Sequence, residues 1–228
     1  MSWQREWSRV RAIVWKDLTA ERRTKANFNA VVFFAALTLL LFAFAFNADT
    51  ETLRTASAGI IWLTILFSGV LSFNRSYEQE LEGGALDTLL LYPGERRSIF
   101  LGKLLANFGF VAMVELILIP TAAFLYGVPI FRAPGPFFGV LLLGSIGFVT
   151  LGTFYAAMAS RVRAREVLLP LLLFPMLVPL LIGAVQATSA ILGGDLMSNA
   201  GNWIRLLAVF DLIFLVACVL AFDYVIEE

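Results

Sequence analysis

The chain has no histidine and a single cysteine, Cys218, in 228 residues. Without histidine there can be no Ser-His-Asp triad, no His-ligated zinc and no His-ligated haem. One cysteine excludes an internal disulfide and a thiolate cluster. Charge is scarce as well. Asp, Glu, Lys and Arg make up 15% of the residues and apolar types 60%, against about 25% and about 45–50% in soluble domains. Mean hydropathy is +0.84. So little polar surface cannot cover a water-soluble globule of this size, which excludes a soluble enzyme. The same composition excludes disorder. Lys plus Arg and Asp plus Glu are 17 each, so net charge points to no partner, nucleic acid included. The first stretch, residues 1–29, stays polar and basic where a signal peptide would place its apolar core, so none is expected.

Six apolar runs are present, at residues 30–46, 56–73, 104–126, 137–159, 167–192 and 204–224. Each approaches or exceeds the roughly 17–25 residues that cross a bilayer as helix. A lipid-embedded backbone must close its own hydrogen bonds, so the expected fold class is an all-α polytopic membrane protein with six spans in one domain. Basic residues divide unevenly about these runs. Seven precede span one, from Arg5 to Lys25. Arg75, Arg96, Arg97 and Lys103 lie between spans two and three, and Arg161, Arg163 and Arg165 between spans four and five. The opposite side has only Arg54, Arg132 and Arg205. By the positive-inside rule both termini are expected in the cytoplasm. The connections on the other side, residues 47–55, 127–136 and 193–203, are too short for a folded domain.

Two cytoplasmic pieces stand out. In residues 1–29, Trp3, Trp7, Val10, Val14 and Leu18 recur at helical spacing, while Arg5, Arg9, Lys16 and Asp17 fall largely off that stripe. This predicts an amphipathic helix in the interface plane, as a plain anchor or as an elbow bearing on a cytoplasmic partner. Residues 74–103 hold an acidic turn with Glu78, Glu80 and Glu82, a Gly83-Gly84 break, a short apolar helix over Ala85–Tyr92 with Leu86, Asp87, Leu89 and Leu90, and a stop at Pro93. Exposed leucines beside charge have the form of a docking element. The alternative is a surface helix packed on its own bundle. Gly102-Lys103 is not a phosphate loop: Arg97 stands where its first glycine is needed, and Leu104 where Ser or Thr would follow. No ATP site, metal site or bound cofactor is assigned to the chain.

Within the spans, Glu115 and Asp211 are ionisable residues at membrane depth. Such residues are costly there and mark function by default. A protonated side chain bonded to a neighbouring helix, or one facing a wet cleft between subunits, are the structural alternatives. Pro170, Pro175 and Pro179 should distort span five. Gly139, Gly144, Gly147, Gly152 and Ser145 make span four suited to close helix approach, within one chain or across a homodimer seam. Cys218 reads as a small apolar residue facing lipid or core.

The order of parts resembles the membrane subunits of exporter-type ABC transporters. The string Phe73-Asn74-Arg75-Ser76-Tyr77-Glu78-Gln79-Glu80-Leu81-Glu82-Gly83-Gly84-Ala85-Leu86-Asp87-Thr88-Leu89-Leu90-Leu91-Tyr92-Pro93 resembles the inner loop of the haem exporter protein B family, CcmB, of the cytochrome c maturation system. So do Leu101-Gly102-Lys103-Leu104-Leu105-Ala106-Asn107 and the Pro-rich stretch from Leu168 to Leu180. The resemblance implies half of a permease dimer in a bacterial-type inner membrane. It implies a cytoplasmic ATPase subunit (the A protein) that binds ATP and Mg, a haem-handling membrane subunit (the C protein), a small single-span subunit and a periplasmic haem chaperone. Haem would be cargo of the complex, and residues 74–103 the coupling segment. Other readings of the sequence are an exporter permease for a lipid or drug, a proton-coupled secondary transporter using Glu115 or Asp211, and a non-transporting assembly scaffold. Secondary transporters usually carry broken helices in matching halves, and the triple-proline span has no counterpart in spans one to three.

Overall fold

The computed structural model describes residues 2–47, 49–82, 97–160, 165–195 and 200–227. Every regular element within them is helical: α1 (Ser2–Thr24), α2 (Ala26–Ala45), α3 (Thr50–Glu82), α4 (Arg97–Tyr126), a 3-10 turn (Ile130–Arg132), α5 (Pro134–Ser160), α6 (Arg165–Gly193) and α7 (Ala200–Glu227). Among the described residues six stretches are long and apolar enough to cross a membrane: Ala26–Ala45, Thr50–Phe73, Arg97–Tyr126, Pro134–Ala159, Leu169–Gly193 and Ala200–Phe222. The six expected spans are therefore present. Several helices start ahead of their apolar runs, and polar residues such as Asn27 and Lys103 are buried within their opening stretches.

Helices α3 and α5 form the centre and α2 lies at the edge. Span four owes its central place to its glycines. A Cβ at Gly144 would run into the Trp62 ring, one at Gly152 into Phe73, and one at Gly147 into Asp211 and Leu180. The small-residue face of α5 thus packs within the chain against α3, α6 and α7, which settles those three positions in favour of internal packing. Gly139 has open space around it. Aromatic pairs fill the same seams: Phe73 and Phe148 lie 5.1 Å apart, Phe100 and Phe222 4.9 Å.

Buried polar groups cross-link the helices. Trp62 Nε1–H donates to Thr188 Oγ1 at 2.9 Å, joining α3 to α6. Asn107 Nδ2–H donates to Thr153 Oγ1 at 3.0 Å, joining α4 to α5. Tyr126 O–H donates to the Leu39 carbonyl at 2.8 Å, fastening the end of α4 to α2. Away from water each such bond spares two groups an unpaired burial. Cys218 is buried in the core.

Helix α6 continues through Pro170, Pro175 and Pro179 as one element. Each proline still withholds an N–H from the carbonyl four residues earlier. Helix α4 has an internal proline too, Pro120. The α1–α2 junction is a single residue, Lys25, in the left-handed region at φ 52°. Across it, the Phe28 N–H donates to the Glu21 carboxylate at 2.7 Å, so a side chain of α1 caps the open N-terminus of α2.

Candidate functional site

The singled-out residues fall in three places. The first is the cytoplasmic end expected for spans two and three. Helix α3 runs unbroken from Thr50 to Glu82, so Glu78, Glu80 and Glu82 sit on a direct extension of span two. Gly83, Gly84, Leu86, Asp87, Leu89, Leu90 and Pro93, with the short helix expected over Ala85–Tyr92, lie outside the described residues.

Helix α1 packs along the adjoining end of α4. Ile13 lies over Gly102, where a Cβ would come within 2.9 Å of it, and Leu18 lies over Gly109. Val10 and Ile13 are buried. The apolar stripe read from the sequence is only partly the packed face. Trp7 is 53% exposed and Trp15, which was not on that stripe, is 73% exposed. Asp17, read as lying off the stripe, is on the packed side. Its carboxylate meets Lys103 Nζ at 2.9 Å, and the Lys103 side chain is only 1% exposed. The helix has two faces, one packed against α4 and one carrying Trp7, Arg11 and Trp15 at intervals of four. A single stripe blurs them.

The second place is the membrane level of α4, α5 and α7. Glu115 and Asp211 both turn to span four, from opposite neighbours. Ser145 of α5 donates its hydroxyl proton to Glu115 Oε1, so this carboxyl is bonded to a neighbouring helix. Asp211 lies against Gly147 and Leu180, buried, with neither oxygen hydrogen-bonded among the described residues. Ser68 Oγ is likewise buried without a partner there. It borders a void of about 10 Å³ shared with Glu115, Phe110 and Val114. On the other side of Glu115 a cavity of about 340 Å³ opens between α4, α5 and the 3-10 turn.

The third place is α6, where Pro170, Pro175 and Pro179 lie on the helix that contacts α3, α5 and α7. The described residues contain no group of three or more Cys, Asp or Glu side chains arranged to hold a metal. They hold a buried ion pair at the start of α4, and two carboxyls and a lateral cavity at membrane level.

Over 170 residues, 73% of this chain and 75% of the relative, the sequence is 31% identical to heme exporter protein B of Pseudomonas aeruginosa. It is 31% identical over 175 residues to that of Rhodobacter capsulatus, covering 76% and 79%. It is 29% identical over 194 residues to that of Paracoccus denitrificans, covering 83% and 87%. The CcmB protein family matches residues 8–227, nearly the full length, and the chain belongs to that family.

Proposed function

We propose that the chain is the permease subunit of an ATP-driven complex for haem export or haem-chaperone release, serving assembly of periplasmic c-type cytochromes. Family membership carries this reading: the matched relatives are heme exporter B proteins over three quarters or more of their length. In this reading the whole chain is one permease domain of a multi-pass inner-membrane protein, with both termini cytoplasmic and two copies per complex. ATP and Mg reside on a cytoplasmic ATPase. A haem-handling membrane subunit, a single-span subunit and a periplasmic haem chaperone complete the assembly. Haem is cargo, and no cofactor belongs to this chain alone.

The mechanism asks the membrane helices to receive a movement made in a soluble partner. A flexible connection would absorb such a displacement. The unbroken run of α3 from span two to Glu82 supports residues 74–103 as the receiver, because a displacement applied at Glu78–Glu82 moves span two directly. Leu86, Leu89 and Leu90 would fill a groove on the ATPase. Glu78, Glu80, Glu82 and Asp87 would orient it against a basic rim, acting on association more than on affinity. Gly83-Gly84 would permit the turn and Pro93 would end the element.

The test replaces Leu86, Leu89 and Leu90 together by Asp. Membrane insertion should persist while ATPase co-purification and haem delivery to periplasmic cytochromes are lost, since each buried apolar anchor contributes about 1–3 kcal/mol. A normally assembled, active triple variant would move coupling elsewhere. Orientation is tested with single cysteines. Positions 49, 135 and 195 should react with an impermeant reagent from outside, and 97 and 164 only from inside.

A further inference from the structure

The cavity beside Glu115 has the size and chemistry of a ligand site. Its volume, about 340 Å³, falls within the roughly 300–1,000 Å³ of small-molecule pockets, which are mostly apolar with a few placed polar groups. Here the walls are apolar apart from Glu115, at the deep end. Its mouth is rimmed by Leu116 and Phe131, 76% and 84% exposed. The cavity therefore opens sideways from the bundle, between the middle of span three and the turn that leads to span four.

Two of the lining residues carry hydrogen-bond acceptors. The first is the Glu115 carboxyl, held in place by the Ser145 hydroxyl. The second is the Leu116 carbonyl. Pro120 stands four residues on and has no N–H, so this carbonyl lacks its normal helical donor. Leu116 and Pro120 both line the cavity. In hydrocarbon neither acceptor can turn to water. The matching occupant brings a donor on an apolar body. A charged amphiphile is disfavoured, because an ion at this depth loses its hydration for partners that do not replace it.

We infer that the cavity between α4 and α5 is a lateral binding site for an uncharged amphiphile with a hydroxyl end, of which a long-chain alcohol is the simplest case. The hydroxyl docks at Glu115 and the chain fills the space toward Phe131. The site is separate from the proposed ATPase-coupling segment and does not depend on what cargo the complex moves.

The experiment uses the full chain in phosphatidylcholine nanodiscs and two photoreactive probes, dodecanol and dodecane carrying the same diazirine. The alcohol should add saturably to the peptide containing Leu116–Ala123, about fivefold more than the hydrocarbon, as one hydrogen bond in an apolar site would give. Unlabelled dodecanol should displace it. Leu116→Trp changes an exposed rim residue, leaves thermal unfolding unchanged and should block labelling. Glu115→Leu should bring the alcohol down to the level of the hydrocarbon. Equal labelling by the two probes in the unaltered chain, or full labelling of Leu116→Trp, overturns the site. So does absence of labelling together with disulfide cross-linking of two Leu116→Cys chains, which would make the groove a subunit seam.

Discussion

Lys103 Nζ lies 2.9 Å from the Asp17 carboxylate, so the first helix of the chain is held by charge to the start of its third span. The lysine side chain is 1% exposed and the aspartate side chain 17%. Removing one member of a buried pair leaves the other desolvated, a loss of about 3 kcal/mol when burial is nearly complete. Asp17→Asn should lower the unfolding temperature in detergent and speed proteolysis within α1. Lys16→Gln, removing an exposed ammonium 3.4 Å from the same carboxylate, should do neither. Equal effects of the two substitutions would show that the 2.9 Å contact contributes nothing particular.

Gly144→Ala should be far more damaging than Gly139→Ala. The added methyl at Gly144 meets the Trp62 ring, which its hydrogen bond to Thr188 prevents from sliding aside. Overpacking of this kind costs about 1–3 kcal/mol. At Gly139 nothing lies within 4 Å, and the change should be near neutral. Thermal unfolding of the two variants in one detergent decides it.

Glu115 is expected to matter through its hydrogen-bonding shape. Glu115→Gln keeps an acceptor for the Ser145 hydroxyl and should retain assembly and most activity. Glu115→Lys brings an ammonium to that hydroxyl in an apolar surround and should disrupt both. Ser145→Ala should cost about 1 kcal/mol, the net value of one hydrogen bond. A Gln variant that assembles fully and has no activity would instead require proton transfer at this residue.

Acid should loosen the start of α3. Asp49 accepts from the Thr52 hydroxyl and, at 3.2 Å, from the Thr52 N–H, and these bonds hold its carboxyl below the usual aspartate range. A depressed folded-state pKa means the contribution is complete above the unfolded value of about 3.9 and is lost as pH falls through the folded one. Hydrogen exchange of the Thr52 amide, relative to its intrinsic rate, should therefore be protected at neutral pH and lose protection below about pH 4. Asp49→Ala should abolish that acid step, and a step that survives the substitution would assign it to another group.

The spans were legible because a run such as residues 137–159 can satisfy its backbone in lipid only as helix. The partners across the bundle were not. Ser145 and Glu115 are adjacent only once α5 lies on α4. Nothing local to Glu115 distinguishes a bonded carboxyl from one in a wet cleft. Ile13 and Trp15 were missed for a different reason: α1 is contacted on one side by α4 while a second side stays exposed, so its pattern is the overlap of two stripes. Asp17 carried a weak signal, one of three acids among seven bases, but its partner Lys103 sits in a string that reads as part of an inner loop. Pro120 was overlooked beside the denser prolines of α6, although it borders a cavity.

The contact between Asp17 and Lys103 also sets an order on biogenesis. The ribosome completes α1 first, yet the surface that α1 covers does not exist until residues 97–110 have been made. At the usual elongation speed of about 5–20 residues per second, the wait is on the order of ten seconds. During that interval Val10 and Ile13 have no protein to rest on, and the first two spans enter the membrane with a detached amphipathic leader. Closure of α1 onto α4 is then a late step, and it reports that the third span has arrived in register.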